Sequence, residues 1–145
     1  MTVRQILKSK GSSEILTIKP DMTIADAAAI LSSRRIGALI VSRDGARLDG
    51  MLSERDIVRE LGVRGAEVLN DPVSALMTAK VVTAKPDDVS VQALEKMTEG
   101  RFRHLPVIEG GTMVGVISIG DVVKHRIQEV VAENTALTDM IVGHG

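Results

Sequence analysis

The sequence predicts an α/β (α+β) protein made of two copies of one β-α-β-β-α unit. Thr17-Ile18-Lys19-Pro20-Asp21 recurs 66 residues later as Thr83-Ala84-Lys85-Pro86-Asp87, and residues 50–58 match residues 115–123 at an offset of 65. Within each copy, apolar residues at helical spacing are followed by short apolar runs typical of buried strands. An ordered series of matches at a nearly constant offset indicates a tandem repeat.

The first copy begins with Thr17 on a short opening strand. Thr23 is a typical N-cap for the next helix, whose apolar positions recur at helical spacing: Ile24, Ala27, Ala28 and Leu31. Gly45 lies in turn-forming sequence and is free to adopt a positive φ. The predicted elements after the first helix are a strand at 36–41, a turn at 43–47, a strand at 48–52 and a helix at 54–61.

The second copy is predicted to repeat this order, with Thr83 on its opening strand. Its remaining elements are a helix at 89–99, a strand at 103–108, a turn at 109–111, a strand at 112–117 and a helix from Gly120. Apolar residues continue beyond the repeat at nearly whole helical turns, at Ile127, Val130, Leu137 and Ile141. Such a face needs cover, either from the protein's own core or from a second chain.

Two short helices are predicted outside the repeated units. Asp71 is the expected N-cap and Pro72 the first residue of a helix at 73–77, and Thr2 opens a similar helix with capping-box spacing to Gln5. We place the first repeat with its N-terminal helix at 1–65, the second repeat at 66–132 and a C-terminal helical extension at 133–145. A unit of roughly 65 residues is marginal alone, so the two copies are expected to bury their sheets against each other.

Composition excludes several classes of function. The 145 residues include no cysteine, which excludes disulfides, thiolate catalysis and cysteine-ligated metals. Lys and Arg total 18 against 19 Asp and Glu, so nucleic acid is not expected as the main partner. The only aromatic residue is Phe102, which removes the usual base-stacking platforms. No secretory signal or membrane segment is predicted, and the cytoplasm is the expected compartment.

The most informative motif is Gly-aliphatic-aliphatic-Ser-x-x-Asp, present at Gly50 to Asp56 and again at Gly115 to Asp121. Each copy lies where a buried strand leads into a helix, and a helix start with free N–H groups suits a phosphate. The Asp offers acceptor oxygens for a pair of ribose hydroxyls, and the Gly lets a flat base approach the backbone. Ser-x-x-Asp is equally a capping box that needs no ligand.

Other candidate groups carry less information. Arg55 and Lys124 lie near the two turns, where each could reach a phosphate or simply face solvent. His104, His125 and His144 have no metal-ligand spacing, and His104 is expected as a hydrogen-bonded core residue or a residue lining the site. No nucleophile elbow, P-loop or dinucleotide fingerprint occurs. Catalysis has no support in the sequence, so no enzyme activity, catalytic cofactor or metal is expected.

Taken together, these motifs resemble a tandem pair of cystathionine β-synthase-type (CBS) domains, often called a Bateman module. The resemblance covers residues 1–132 and is carried by the paired Thr-x-x-Pro segments, the strands with Ala38-Leu39-Ile40-Val41 and His104-Leu105-Pro106-Val107, and the doubled Ser-x-x-Asp turns. It implies two repeats packed with pseudo-two-fold symmetry. It also implies a regulatory module that binds AMP, ADP, ATP, NAD(H) or S-adenosylmethionine in clefts between repeats. Members commonly form dimers, so a homodimer is expected.

The resemblance also assigns roles to residues of this chain. Asp56 and Asp121 would hold ribose hydroxyls, and Ser53 and Ser118 would contact phosphate or ribose. The base pockets would be lined by Thr17, Thr83, Gly37, Ala38, Arg103, His104 and Pro106. The predicted ligand-binding set further contains Lys19, Lys85, Arg55, Gly120 and Lys124. Ile40 stands where the second copy has Pro106, which is a departure in the first pocket.

The sequence therefore predicts a non-catalytic sensor of cellular energy or redox state that binds an adenine nucleotide and acts on a separate, unidentified protein. The alternative is a structural dimerisation or scaffold module with no physiological nucleotide, in which the Ser-x-x-Asp turns only cap helices. Both hypotheses share the same fold and differ in what the two aspartates do.

Overall fold

The structure is a computed structural model that describes residues 1–11 and 15–141. The chain forms two compact units, each with its own core. Unit I contains the first repeat and the short helix after it, and unit II contains the N-terminal helix and most of the second repeat. His144 lies outside the described residues.

Unit I contains three strands and three α-helices. Its elements in chain order are β1 (Thr17–Ile18), α2 (Ile24–Arg34), β2 (Ala38–Val41), β3 (Gly50–Ser53), α3 (Glu54–Arg64), a 3-10 helix (Gly65–Asn70) and α4 (Val73–Leu76). The first helix of the chain, α1 (Val3–Lys10), belongs to unit II. Mixed helices and strands in this order confirm the predicted fold class.

The sheet of unit I has the order β1-β2-β3. Strand β1 pairs in parallel with β2, with Thr17 opposite Ile40, and β2 pairs antiparallel with β3, with Ala38 opposite Ser53. This register places the start of β2 beside the end of β3. The first residues of β2 therefore lie next to the point where α3 begins.

Two strand boundaries differ from the prediction for local reasons. Strand β2 begins at Ala38 because the N–H of Ile36 still bonds to the carbonyl of Leu31 at the end of α2. Strand β3 begins at Gly50 because the Asp49 carboxylate accepts the N–H of Arg43 at 2.7 Å and closes the preceding loop. Thr23 caps α2 through its hydroxyl, as predicted.

Unit II repeats the helix-strand-strand-helix order with a two-stranded sheet. After α1, its elements are α5 (Ser90–Gly100), β4 (His104–Glu109), β5 (Thr112–Ser118) and α6 (Ile119–Ile141). The predicted opening strand at Thr83 is absent and is replaced by a single parallel bridge from Ala84 to Val107. The chain turns away at once, because the N–H of Lys85 donates to the Asp88 carboxylate at 2.9 Å.

The two short helices occupy equivalent places in the two units. In unit II, Thr2 bridges to Val89 and caps α1 in the predicted capping box with Gln5. In unit I, Pro72 forms the equivalent bridge to Thr23, and Thr23 lies 66 residues before Val89. Helix α1 therefore packs with the second repeat and α4 with the first, so the compact units do not follow the predicted boundary at residue 65.

The start of α4 also corrects the predicted cap. Pro72 is the N-cap residue and Val73 the first helical residue, rather than Asp71 and Pro72. The Asp71 carboxylate is not available for capping because it pairs with the guanidinium of Arg64, and its backbone carbonyl accepts the N–H of Ile24.

Helix α6 continues without a break through the predicted C-terminal extension to Ile141. The apolar residues that the sequence singled out are uncovered in the single chain, with 40–75% of their surface exposed: Ile127, Val130, Leu137 and Ile141. The face therefore does not fold back on the chain's own core. Among residues 1–11 and 15–141, no helix is both long and apolar enough to cross a membrane.

Candidate functional site

Both Ser-x-x-Asp motifs form strand-to-helix turns with the same hydrogen bonds. In unit I, the N–H of Asp56 donates to Ser53 Oγ at 3.1 Å, and the N–H of Ser53 donates to Asp56 Oδ2 at 3.0 Å. In unit II, Asp121 and Ser118 repeat this pair at 3.1 and 2.8 Å. The capping interpretation of the motif is therefore confirmed for both turns.

Each turn also lies against the residue that precedes the neighbouring strand, β2 in unit I and β4 in unit II. The N–H of Glu54, the first residue of α3, donates to the carbonyl of Gly37 at 2.9 Å. The N–H of Ile119, at the same place in α6, donates to the carbonyl of Arg103 at 2.8 Å. The structure thus brings Gly37 and Ala38 to the Asp56 turn, and Arg103 and His104 to the Asp121 turn.

The two carboxylates differ in the cations that pair with them. Arg59 lies one turn further along α3 and donates to Asp56 Oδ1 at 3.0 Å. Asp121 Oδ2 is paired instead with Lys10, the last residue of α1, at 2.8 Å. The sequence analysis did not identify either cation. The i,i+3 spacing of Asp56 and Arg59 could have indicated the first pair, whereas no local pattern indicates the second.

The electrostatics of the second turn follow from burial and from this cation. Burial raises the pKa of Asp121, but the hydrogen bonds from Lys10 and from Ser118 outweigh it and hold that pKa below its ordinary value. Burial lowers the pKa of the His104 imidazole, against the opposing effect of the nearby Asp121 charge. The turn therefore carries an ionised carboxylate beside an ammonium group.

The motif glycines have a different role from the predicted one. A Cβ at Gly50 would lie 2.7 Å from Met77 Sδ and 2.9 Å from the Thr78 carbonyl oxygen. A Cβ at Gly115 would lie 2.6 Å from Leu7 Cδ2. In both units, the absence of a side chain makes room for residues of the short helix or just after it, Leu7 within α1 and Met77 and Thr78 after α4. These residues lie in the space beside the glycine that was expected to admit a base.

The other predicted site residues differ in exposure. Asp56 and Pro106 are buried, and Thr17, Thr83, Ala38, Ser53, Ser118, His104 and Asp121 are half-buried. The exposed members are Lys19, Lys85, Gly37, Arg55, Arg103, Gly120 and Lys124. In the part of the chain that the structure describes, Arg55 and Lys124 make no ion pair, and no cluster of three His, Asp or Glu side chains could hold a metal ion.

Fold and turns together define a class of protein, a tandem repeat in which each copy presents a capped, carboxylate-bearing strand-to-helix turn. The model of the CBS domain family matches the chain twice, at residues 3–63 and 73–128. The chain belongs to the CBS domain family.

Comparisons with individual proteins agree. The chain is 36% identical over 135 residues to the mitochondrial CBS domain-containing protein CBSX3 of Arabidopsis thaliana, which covers 88% of this chain. The aligned part of this chain spans 66% of the length of CBSX3. It spans 19–21% of the length of the longer Arabidopsis CBSCBSPB proteins that also match.

Solved structures show the same pair fold. The CBS-domain containing protein ATU1752 from Agrobacterium tumefaciens is 41% identical and superposes with a TM-score of 0.79, covering 87% of this chain and 99% of its own. The CBS domain protein PAE2072 from Pyrobaculum aerophilum, solved as a complex with AMP, is 28% identical with a TM-score of 0.70. The alignment covers 83% of this chain and 89% of PAE2072.

Proposed function

We propose that this protein is a non-catalytic regulatory module that binds an adenosine-containing ligand at its Ser-x-x-Asp turns. The observation that carries the proposal is the retention of an ionisable carboxylate in the same capped geometry at both turns, Asp56 and Asp121. The AMP complex of PAE2072, a protein with the same fold, supports an adenosyl ligand. The ligand classes proposed are AMP, ADP, ATP, NAD(H) and S-adenosylmethionine.

The proposed roles follow the surroundings of each residue. Asp56 and Asp121 accept hydrogen bonds from ribose hydroxyls, while Ser53 and Ser118 contact ribose or phosphate. The base lies against backbone and aliphatic side chains near the starts of β2 and β4, since the chain's only aromatic residue, Phe102, packs against the core of unit II. The exposed cations Arg55 and Lys124 are available for phosphates.

Calorimetric titration of AMP, ATP, NADH and S-adenosylmethionine tests this function. Asp56→Ala and Asp121→Ala are each expected to weaken binding at their own turn by about 100-fold, because a carboxylate with charge-assisted bonds to a ribose contributes roughly 3 kcal/mol. Asp26→Ala is the matched control, because Asp26 occupies the same third helical position after a capping hydroxyl, Thr23, in α2.

Two results would contradict the proposal. The first is the absence of any binding to the wild-type chain at millimolar ligand. The second is binding that survives both aspartate substitutions unchanged. The former would favour the alternative, a structural dimerisation or scaffold module. Turnover of ATP or NADH in the same incubation would contradict the non-catalytic assignment.

We also propose that the protein is a homodimer and that the exposed face of α6 is part of its interface. The apolar residues of this face are spaced four and three apart from Val123 to Ile141, and Asn134 occupies one position of the same series. This is a heptad pattern with one polar core residue, and in two-stranded coiled coils such an asparagine pairs with its own copy. A second copy of α6 therefore satisfies both the apolar residues and Asn134.

A further inference from the structure

Lys10 connects helix α1 to the Asp121 turn. It is the last residue of α1, and its ammonium group lies 2.8 Å from Asp121 Oδ2 and 3.0 Å from the carbonyl oxygen of Val116. The Lys10 side chain is 28% exposed. An ammonium group has three hydrogens to donate, and within residues 1–11 and 15–141 it has two acceptors, so one hydrogen remains for a ligand.

The Asp121 carboxylate has one oxygen open in the same way. Oδ2 accepts both the Ser118 N–H and the Lys10 ammonium, and no donor from the described residues reaches Oδ1. At the other turn, each oxygen of Asp56 already accepts one hydrogen bond, Oδ2 from the N–H of Ser53 and Oδ1 from Arg59. The second turn therefore presents a carboxylate oxygen that no described donor reaches beside a cation, whereas at the first turn each oxygen already accepts one bond and has one acceptor position left.

The length of the short helix produces this asymmetry. Leu7 and Met77 make equivalent contacts with Gly115 and Gly50, which makes Lys80 the counterpart of Lys10. Helix α1 continues to Lys10, whereas α4 ends at Leu76. Only the longer helix carries its lysine to the carboxylate, and Lys80 makes no ion pair with Asp56.

We infer, on the basis of the proposed function, that Lys10 is a ligand-binding residue of the Asp121 site and makes this site selective for phosphorylated adenosyl ligands over the free nucleoside. The ribose hydroxyl takes the open Oδ1 of Asp121, and the ammonium of Lys10, on a flexible four-carbon stem, donates to the phosphate. Because Lys10 ends α1, a phosphate bound to its third hydrogen links the ligand to α1 as well as to the turn. Occupancy of this site is thereby communicated to α1.

The test compares AMP with adenosine, which differ only in the phosphate. Titrations are carried out in the Asp56→Ala chain, so that the Asp121 turn is the site observed. Lys10→Met is expected to weaken AMP binding by about 10-fold or more, the loss of one charge-assisted hydrogen bond, and to change adenosine binding by less than about 3-fold. Lys10→Arg retains the charge and is expected to recover most of the AMP affinity.

Lys8→Met is the matched control, because Lys8 is exposed on the same helix and makes no ion pair within the described residues. Circular dichroism verifies that each variant is folded. Equal losses for AMP and adenosine in Lys10→Met, or no loss for either, would overturn the inference while leaving the proposed function intact. Failure of the wild-type chain to bind either compound would instead contradict the proposed function itself.

Discussion

The guanidinium of Arg59 lies 3.0 Å from the Asp56 carboxylate, one turn along the helix that Asp56 helps to begin. The equivalent carboxylate in the second repeat, Asp121, is paired with a lysine from a separate helix. The two repeats thus keep the same cap and differ in how its charge is neutralised. A local pair forms wherever α3 forms, whereas the pair between Lys10 and Asp121 requires α1 to be docked.

The capping hydroxyls make a first prediction about stability. Ser53→Ala and Ser118→Ala are each expected to lower the free energy of unfolding by about 1 kcal/mol, because each removes an acceptor for the N–H of an aspartate in the first helical turn. Urea unfolding followed by circular dichroism measures the change. Ser32→Ala on the exposed surface of α2 is the control, and losses no larger than its own would contradict the capping role.

The motif glycines make a second prediction. Gly50→Ala is expected to cost more stability than Gly115→Ala, with a loss of about 1–3 kcal/mol. The reason is that the added Cβ at Gly50 meets the backbone oxygen of Thr78, while at Gly115 it meets only the movable side chain of Leu7. Urea unfolding of both variants gives the comparison. Leu7→Ala combined with Gly115→Ala is expected to remove the clash, so the double variant should lose less unfolding free energy than the sum of the two single losses. A loss equal to that sum would argue against a clash between the new Cβ and Leu7.

The third prediction concerns pH. The pKa of Asp121 in the folded protein lies below its ordinary value, because the bonds from Lys10 and Ser118 outweigh the effect of burial, which raises it. A carboxyl whose pKa is lowered by folding contributes stability above its unfolded pKa, and that contribution is lost as the pH falls through the folded pKa. Asp121→Asn should therefore lose less unfolding free energy than the wild-type chain when the pH is lowered from about 6 to about 3.

Urea unfolding at the two pH values provides this measurement. The matched comparison is Lys10→Met, which removes the main favourable partner of Asp121 and is also expected to flatten the dependence. Parallel curves for the wild type and both variants would show that the Asp121 turn does not contribute to acid sensitivity.

The fourth prediction concerns association. Ile127→Glu places a charge on the apolar face of α6 and is expected to abolish the proposed dimer, because the heptad core position would bury an unpaired carboxylate. Light scattering gives the mass. Gln128→Glu introduces the same charge one residue away, at an exposed position off this face, and should remain dimeric. A wild-type chain that is monomeric, or an Ile127→Glu variant that stays dimeric, would contradict the proposed interface.

Much of the local structure could be predicted from the sequence because its determinants lie close together in the chain. Thr23 and Ser53 cap their helices through residues three positions later, and the positive φ of Gly45 follows from its turn sequence. The repeat placed Ser118 and Asp121 in the same geometry as their counterparts. These features depend on hydrogen bonds within a few residues and survive any arrangement of the rest of the chain.

The sequence by itself therefore determined the two repeats, most of their elements and the two carboxylate-bearing turns. Only the tertiary structure decided that α1 packs with the second repeat, that Leu7 and Met77 fill the space beside the motif glycines, and that Lys10 pairs with Asp121. The physical reason is sequence separation. Contacts between residues far apart in the chain, such as Lys10 and Asp121, depend on where a helix packs and how far it extends, which no local spacing encodes.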